Sequence, residues 1–519
     1  MTDPGLRHER NPITWAAEDP GRPAIVMGGS GQVTTYGELA ERASRLVNLL
    51  RSYGLRQGDA IALLSENSPR FHEVLWAGRL GGFYVTPVNR HLGVDEIAYI
   101  LNDCGAKVLV ASGNLPVSAQ LTREIAPTLE RRLAQLAPID GFDDYDAELA
   151  TASAEPPAPG LSGVALQYSS GTTGRPKGIK RPLENPPAYD ADGIVAVLRA
   201  MGVTEGTTYL SPAPLYHAAP VGFTMAVLRM GGTVVVMERF DPLETLRLIE
   251  KHRVQTGQFV PTMFVRLTKL PPEDRARYDL SSLVGVIHAA APCPIEVKRQ
   301  MIEWWGPIVY EYWSSSEGAG FTFITSAEWL ERPGSVGLPL GGPLHICDEN
   351  GQELPVGEAG LIWAEVARPY SYLGDPAKDA ETTHARGWRS VGDIGRLDEA
   401  GYLYLTDRAS FMIIRGGVNV YPQEAENALI EHPQVLDAAV IGVPDEDLGE
   451  EVLAVVSLVD PADASPALAA DLIAWCRDRL AAYKCPRQVD FRQDLPRTET
   501  GKLQKKLLRA QYAQATSPR

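Results

Sequence analysis

An α/β fold divided over more than one domain is the architecture this sequence predicts, on two observations. Apolar, strand-like runs alternate with segments of helical period from Thr35 to Val110, the pattern of a largely parallel sheet covered by helices. At 519 residues the chain is also too long for one hydrophobic core, so a large domain followed by a smaller one is expected.

The elements follow in order. Ala40, Ala43, Leu46, Leu49 and Leu50 recur at helical spacing between Thr35 and Ser52, with Thr34 or Thr35 as the cap and Gly54 as the stop. Asp59–Leu64 reads as a buried strand, Ser68–Gly82 as a helix, Tyr84–Val88 as a strand, Asp95–Cys104 as a helix and Lys107–Val110 as a strand. The Pro-rich run Ala154–Gly160 is a connector between two lobes of the large domain. Later strands are expected at Tyr209–Ser211, Gly231–Met237 and from Gln258, the last opening into an apolar helix. Toward the C-terminus, helices are expected at Glu424–Ile430 and Ala467–Leu480, and strands at Asp437–Val443 and Gly449–Val456.

Composition narrows the function. Hydrophobic residues make up 44% and charged residues 22%, ordinary for a globular protein. A formal net charge of −16, with no concentrated basic face, argues against a nucleic-acid partner. The five cysteines are scattered without a C-x-x-C pair, which offers neither a disulfide framework nor a zinc site and fits reduced thiols. The N-terminal residues lack a signal-peptide pattern, no apolar run reaches membrane-spanning length, and Ser517-Pro518-Arg519 is no peroxisomal address, so a cytoplasmic protein is expected.

The stretch with the clearest chemistry is Tyr168-Ser169-Ser170-Gly171-Thr172-Thr173-Gly174-Arg175-Pro176-Lys177-Gly178, after the apolar run Val164-Ala165-Leu166. Glycines let backbone N–H groups approach phosphate oxygens, hydroxyls add donors, and Arg175 and Lys177 bring positive charge. It is not a Walker loop, because only Thr172 and Thr173 separate its two inner glycines and Pro176 precedes Lys177. This loop resembles the signature of the adenylate-forming superfamily of acyl-CoA synthetases, luciferases and peptide-synthetase adenylation domains, closest to stand-alone actinobacterial acyl-CoA synthetases. The resemblance continues from about Thr35 to Lys506, with Gly58-Asp59 and Glu66-Asn67 at recurrent positions.

It implies a large N-terminal domain of α/β lobes plus a β-rich lobe after the turn Arg332–Pro339, spanning residues 1–407. A small, mobile α+β domain would occupy residues 408–519. It also implies roles. Ser169, Ser170, Gly171, Thr172, Thr173, Gly174 and Lys177 would hold the pyrophosphate end of ATP, and Ala290, Ala291 and Pro292 would approach adenine. Here Ala289 and Ala290 replace the usual glycines and narrow the space by two methyl groups.

In Tyr310–Gly318 the resemblance sets Trp313 in the place of the aromatic over adenine, beside Tyr312. Ser316 takes the hydroxyl on the α-phosphate, and Glu317 the carboxylate for magnesium, a hard ion that prefers oxygen ligands. Asp393 would accept both ribose hydroxyls with Arg408 beside it, and Gly416-Gly417 lie in the cofactor-binding stretch beyond. Ser410 and Phe411 stand where acidic or basic hinge residues are frequent. Lys502, in Thr500-Gly501-Lys502, would bridge the substrate carboxylate and the α-phosphate, as a desolvated ammonium between two anions can.

For the acid, Tyr216, His217, Phe259, Met263 and His288 are the candidate contacts. From the residues alone, His217 is more often a packed or solvent-facing histidine than a ligand, Phe259, Met263 and Phe264 read as core or as pocket, and His288 reads as packing or as contact. The implied activity is acyl-CoA synthesis through acyl-AMP on an apolar acid of fatty, steroid-derived or terpenoid type, with ATP/AMP, magnesium and coenzyme A as cofactors. Lys502, Glu317, Ser316 and His217 carry the catalytic roles. The partners are thus a small carboxylic acid and CoA, with a homodimer left open. An enzyme confined mainly to the CoA-ligation step or feeding a carrier protein, and a non-catalytic nucleotide-binding protein, are the alternatives.

Overall fold

Local signals set the element boundaries. Thr35 caps the helix Tyr36–Ser52 by accepting from the Glu38 backbone N–H at 3.2 Å, while Glu38 accepts from the Thr35 N–H at 2.8 Å. Pro69 and Gly82 bracket the next helix, Pro69–Gly81. The computed structural model describes residues 10–169, 175–186, 189, 192–366, 369–445, 447–498 and 503–515. The chain forms two units. The first is residues 1–258, 275–286 and 368–381, and the second is 259–274, 287–367 and 382–519.

In the first unit a six-stranded, all-parallel sheet runs in the order Asp143–Asp144, Arg131–Gln135, Ala106–Ser112, Ala60–Leu64, Tyr84–Pro87, Val164–Ala165. Its central strand Ala60–Leu64 is a continuous, fully buried apolar run, while Arg131–Gln135 and Asp143–Asp144, toward one edge, carry charge, and Ala62, Leu64, Ile97, Leu101 and Leu109 share one core. A second run pairs Val33–Thr35, Pro23–Met27, Thr233–Val236 and Thr208–Ser211, the last also parallel to Thr256–Phe259. The apolar run before the signature loop is broken rather than one strand. Val164–Ala165 joins the six-stranded sheet, whereas Gln167–Ser169 pairs antiparallel with Lys177–Lys180, which pairs with Ser371–Tyr372.

The second unit is mainly antiparallel. Val309–Ser314, Phe321–Ile324, Ser335–Pro339, Leu403–Arg408, Asp393–Leu397, Gly360–Ala364 and Leu344–Cys347 pair in that order. Toward the C-terminus, Val435–Asp445 and Gly449–Leu458 form a long hairpin, with Gln488–Phe491 parallel to the latter and helices Pro422–Ile430 and Pro466–Arg477 packed nearby. The α/β fold, its β-rich part and the small α+β C-terminal domain are as the sequence implies. Among the described residues no helix is long and apolar enough to cross a membrane.

Candidate active site

In the first unit the two arms of the signature loop are in register, Ser169 opposite Lys177 and Tyr168 opposite Gly178. The Tyr168 hydroxyl donates to Asp103 at 2.5 Å, and burial first, then neighbouring acids, push its pKa up. Lys177 donates to Asp375, a contact that heads the causes holding the Asp375 carboxyl below its usual range. Ser170, Gly171, Thr172, Thr173 and Gly174 lie outside the described residues.

Tyr216 and His217 close the approach to the helix Ala218–Arg229, their rings 4.2 Å apart. What fixes this segment is Asn67. Its amide donates to the carbonyls of Met237 at 2.8 Å and Ala213 at 3.2 Å, and its oxygen accepts from the Leu215 N–H at 2.9 Å. The sequence marks Asn67 as a recurrent position without indicating this task.

In the second unit Phe259, Phe264 and Trp305 form an aromatic cluster with centroids 5.5 to 6.0 Å apart, and His288 meets Phe264 edge-on at 5.2 Å. Met263 is buried beside Phe264 in the helix Pro261–Thr268. His288 is fully enclosed, its Nε2 3.5 Å from Glu311 Oε2, and the Lys298 ammonium lies 2.5 Å from that oxygen and 4.8 Å from the Trp329 ring centre. Burial lowers the Lys298 and raises the Glu311 pKa, each opposed by its partner. Burial, followed by the Lys298 charge, keeps His288 neutral by lowering its pKa far below the usual value. Lys298, Glu311 and Trp305 carry no sequence signal as site residues. A lysine on an amphipathic helix reads as a surface cation.

The first two alanines after this strand differ from each other. Ala289 is buried, while Ala290 has φ +77°, the left-handed region that costs a Cβ-bearing residue about 1–2 kcal/mol. Ala291 and Pro292 lead on to the helix Ile295–Trp305. The strand Val309–Ser314 turns Tyr312 onto Phe321, stacked at 5.3 Å, and Trp313 to its other side. Trp313 Nε1 donates to Asp393 Oδ2 at 2.8 Å, and Arg408 Nε lies 2.9 Å from Asp393 Oδ1. Arg408 reaches it because Asp393 and Arg408 are cross-strand partners. Ser315 and Ser316 follow, and Glu317 is buried. Among the described residues no three His, Cys, Asp or Glu side chains converge as a metal cage. Glu317 is the candidate carboxylate for magnesium, a hard ion that prefers oxygen ligands.

Gly416 and Gly417, at φ +57° and +78°, make the two-residue turn between Ile413–Arg415 and Val418–Val420, which requires left-handed backbone at both positions. Phe411 lies beneath the Lys505 ammonium at 5.3 Å, and Lys505 pairs with Glu426 at 2.7 Å. Lys502 lies outside the described residues, but its flanks are braced, with Arg497 opposite Leu503 and bidentate to Asp437 at 2.5 and 2.6 Å.

Known proteins resemble this chain along most of its length. Residues 13–370 match the model of the AMP-binding enzyme family, and residues 424–502 match that of the AMP-binding enzyme C-terminal domain. A feruloyl-CoA synthase of an Amycolatopsis species is 36% identical over 507 residues, covering 96% of this chain and 98% of that protein. The long-chain-fatty-acid–CoA ligase FadD13 of Mycobacterium tuberculosis is 30% identical, covering 93% and 94%. A 3-[(3aS,4S,7aS)-7a-methyl-1,5-dioxo-octahydro-1H-inden-4-yl]propanoyl:CoA ligase of Rhodococcus jostii is 31% identical, covering 95% and 96%. The crystal structure of ATP-bound MatB from Rhodopseudomonas palustris superposes with a TM-score of 0.82 at 28% identity, covering 98% of this chain and all of that one. The chain belongs to the adenylate-forming AMP-binding enzymes and, within them, to the AMP-forming acid–CoA ligases.

Proposed function

We propose that this ligase activates an apolar carboxylic acid larger than acetate, of fatty, steroid-derived or terpenoid type. The observation that carries this choice is the Phe259, Met263, Phe264 and Trp305 cluster. Its neighbouring cation, Lys298, is committed to Glu311, so it is not available to hold a second carboxylate. The Rhodococcus relative, a ligase of a bicyclic propanoyl group, and the fatty-acid ligases support the same reading.

In the first step the acid's carboxylate oxygen attacks the α-phosphorus and pyrophosphate leaves. The thiol of CoA then attacks the acyl carbon and AMP leaves. The barrier of the first step is the approach of two anions, and Lys502 is assigned to stand between them. Ser316 donates to the α-phosphate, Asp393 and Arg408 hold the ribose, and His217 with Tyr216 borders the carboxylate. Glu317 would hold magnesium, which would supply charge neutralisation on the phosphates. Residues 408–519 turn as a domain between the steps, with Ser410 and Phe411 at the hinge.

An aromatic acid is the second reading, favoured by the feruloyl-CoA synthase relatives and by the ring cluster itself. An enzyme that mainly performs the CoA step is a third, supported by Trp313 and by the strained Ala290. ATP–pyrophosphate exchange set beside CoA-dependent consumption of synthetic acyl-AMP decides the third. Exchange as fast as thioester formation excludes it. A panel with fatty, steroid-derived, hydroxycinnamic and acetic acids decides the first two, and acetate turned over as well as the bulky acids contradicts both.

A further inference from the structure

We propose that Trp313 is a positioning residue for nucleotide recognition, its indole N–H setting the carboxylate of Asp393 in the orientation that receives the ribose hydroxyls. The inference rests on the reading of Asp393 as the ribose acid.

Three observations carry it. The first is the hydrogen bond from Nε1 to Oδ2 at 2.8 Å, made between two buried side chains. An N–H bond to a carboxylate in such surroundings is stronger than one between neutral groups. The second is Arg408, whose Nε lies 2.9 Å from the other oxygen, Oδ1. Donors on both oxygens fix the carboxylate plane, whereas one donor leaves it free to swing about the Cβ–Cγ bond. An ionised carboxylate has about four acceptor positions, so each oxygen keeps capacity for one ribose hydroxyl.

The third is that the indole is packed in place. Its ring packs among Val336, Leu344, Ile346, Ile362 and Leu403. Gly320, at φ +87°, covers it so closely that a Cβ there would stand 2.7 Å from Cζ3. Indole nitrogen is a donor only, so the bond has one polarity and Asp393 must accept it. A rigid donor of fixed sign on an otherwise rotatable acid is preorganisation for a ligand with two adjacent hydroxyls.

The test uses calorimetric binding of ATP and of 2′,3′-dideoxy-ATP to the full-length protein, the Trp313→Phe variant and the Asp393→Ala variant. A fourth protein carries 3-benzothienylalanine at position 313, which keeps the shape of the indole and lacks its N–H. This protein keeps the question answerable if the smaller Phe ring loosens the packing. The expected result is that Asp393→Ala abolishes the preference for ATP over the dideoxy analogue. Both proteins without the N–H should reduce that preference by about ten-fold, through weaker ATP binding alone.

Lost stacking or a loosened fold would weaken both nucleotides equally and leave the preference intact, which overturns the proposal. If Asp393→Ala abolishes the preference while both N–H-free proteins keep it, the ribose reading stands and the role of Trp313 falls. If Asp393→Ala leaves the preference unchanged, the ribose reading fails and the proposal fails with it.

Discussion

Replacing Lys298 by Met strands the Glu311 carboxylate in the core of the second unit. The ammonium and carboxylate are 2.5 Å apart with side chains 0% and 6% exposed, and the next polar neighbour, His288 at 3.5 Å, is held neutral. Removing one partner of such a pair costs about 3–5 kcal/mol, because the other is left as an uncompensated buried charge. Glu311→Leu should cost a similar amount from the lysine side. The double variant Lys298→Met, Glu311→Leu replaces both charges with apolar groups, and should fall within about 1 kcal/mol of the wild type or exceed it.

The single lysine variant also acquires a pH signature. Burial already raises the Glu311 pKa, and without Lys298 it rises further above its unfolded value. A carboxyl whose folded pKa is raised binds its proton more readily in the folded state, so stability is regained as the pH falls toward the unfolded value and lost as it rises. Urea unfolding followed by tryptophan fluorescence at acidic and alkaline pH reads both effects. Single-variant losses below about 1 kcal/mol, or a double variant as unstable as the sum of the singles, would refute the coupling.

Other perturbations separate other parts of the account. His72 is fully buried, without a hydrogen-bond partner among the described residues, and burial pushes its pKa down to about 3, so the unfolded chain takes up a proton near pH 6.5 that the folded one refuses. Stability should fall by roughly 1.4 kcal/mol between pH 7.5 and 5.5 on this account, and His72→Leu should remove that share of the slope. Lys502→Ala should slow acyl-AMP formation by about a thousandfold while thioester formation from supplied acyl-AMP survives, and equal loss in both assays would point elsewhere. Glu317→Gln should raise the magnesium requirement at saturating ATP without the loss of AMP affinity expected for Asp393→Ala, and a magnesium titration that does not shift would remove Glu317 from the metal.

The first unit is the more legible part of the fold. A buried parallel strand such as Ala60–Leu64 reads as an unbroken apolar run, and a cap at Thr34 or Thr35 marks a helix start to within a residue. The β-rich strands are short and interrupted by Gly or Pro, as in Ser335–Pro339 and Gly360–Ala364, and only the family resemblance anticipates them. At the site, the family resemblance points to Trp313, Glu317 and Asp393 but cannot show a hydrogen bond across 80 residues. Nor does it show that Ala290, read as a mere narrowing of space, keeps the left-handed backbone of a glycine. Lys298 and Glu311 are silent for the same reason. Nothing in an amphipathic helix or a strand announces that one charge from each will be buried against the other.

The most direct test of the central claim is to incubate the purified enzyme with ATP, magnesium, CoA and each acid of the panel, and to quantify thioester by mass spectrometry and AMP by chromatography. The account predicts one AMP per acyl-CoA, with bulky apolar acids well ahead of acetate. Thioester formed equally from acetate, or from dicarboxylic acids in preference to apolar ones, would contradict the reading of the Phe259, Met263, Phe264 and Trp305 cluster as an uncharged acyl site.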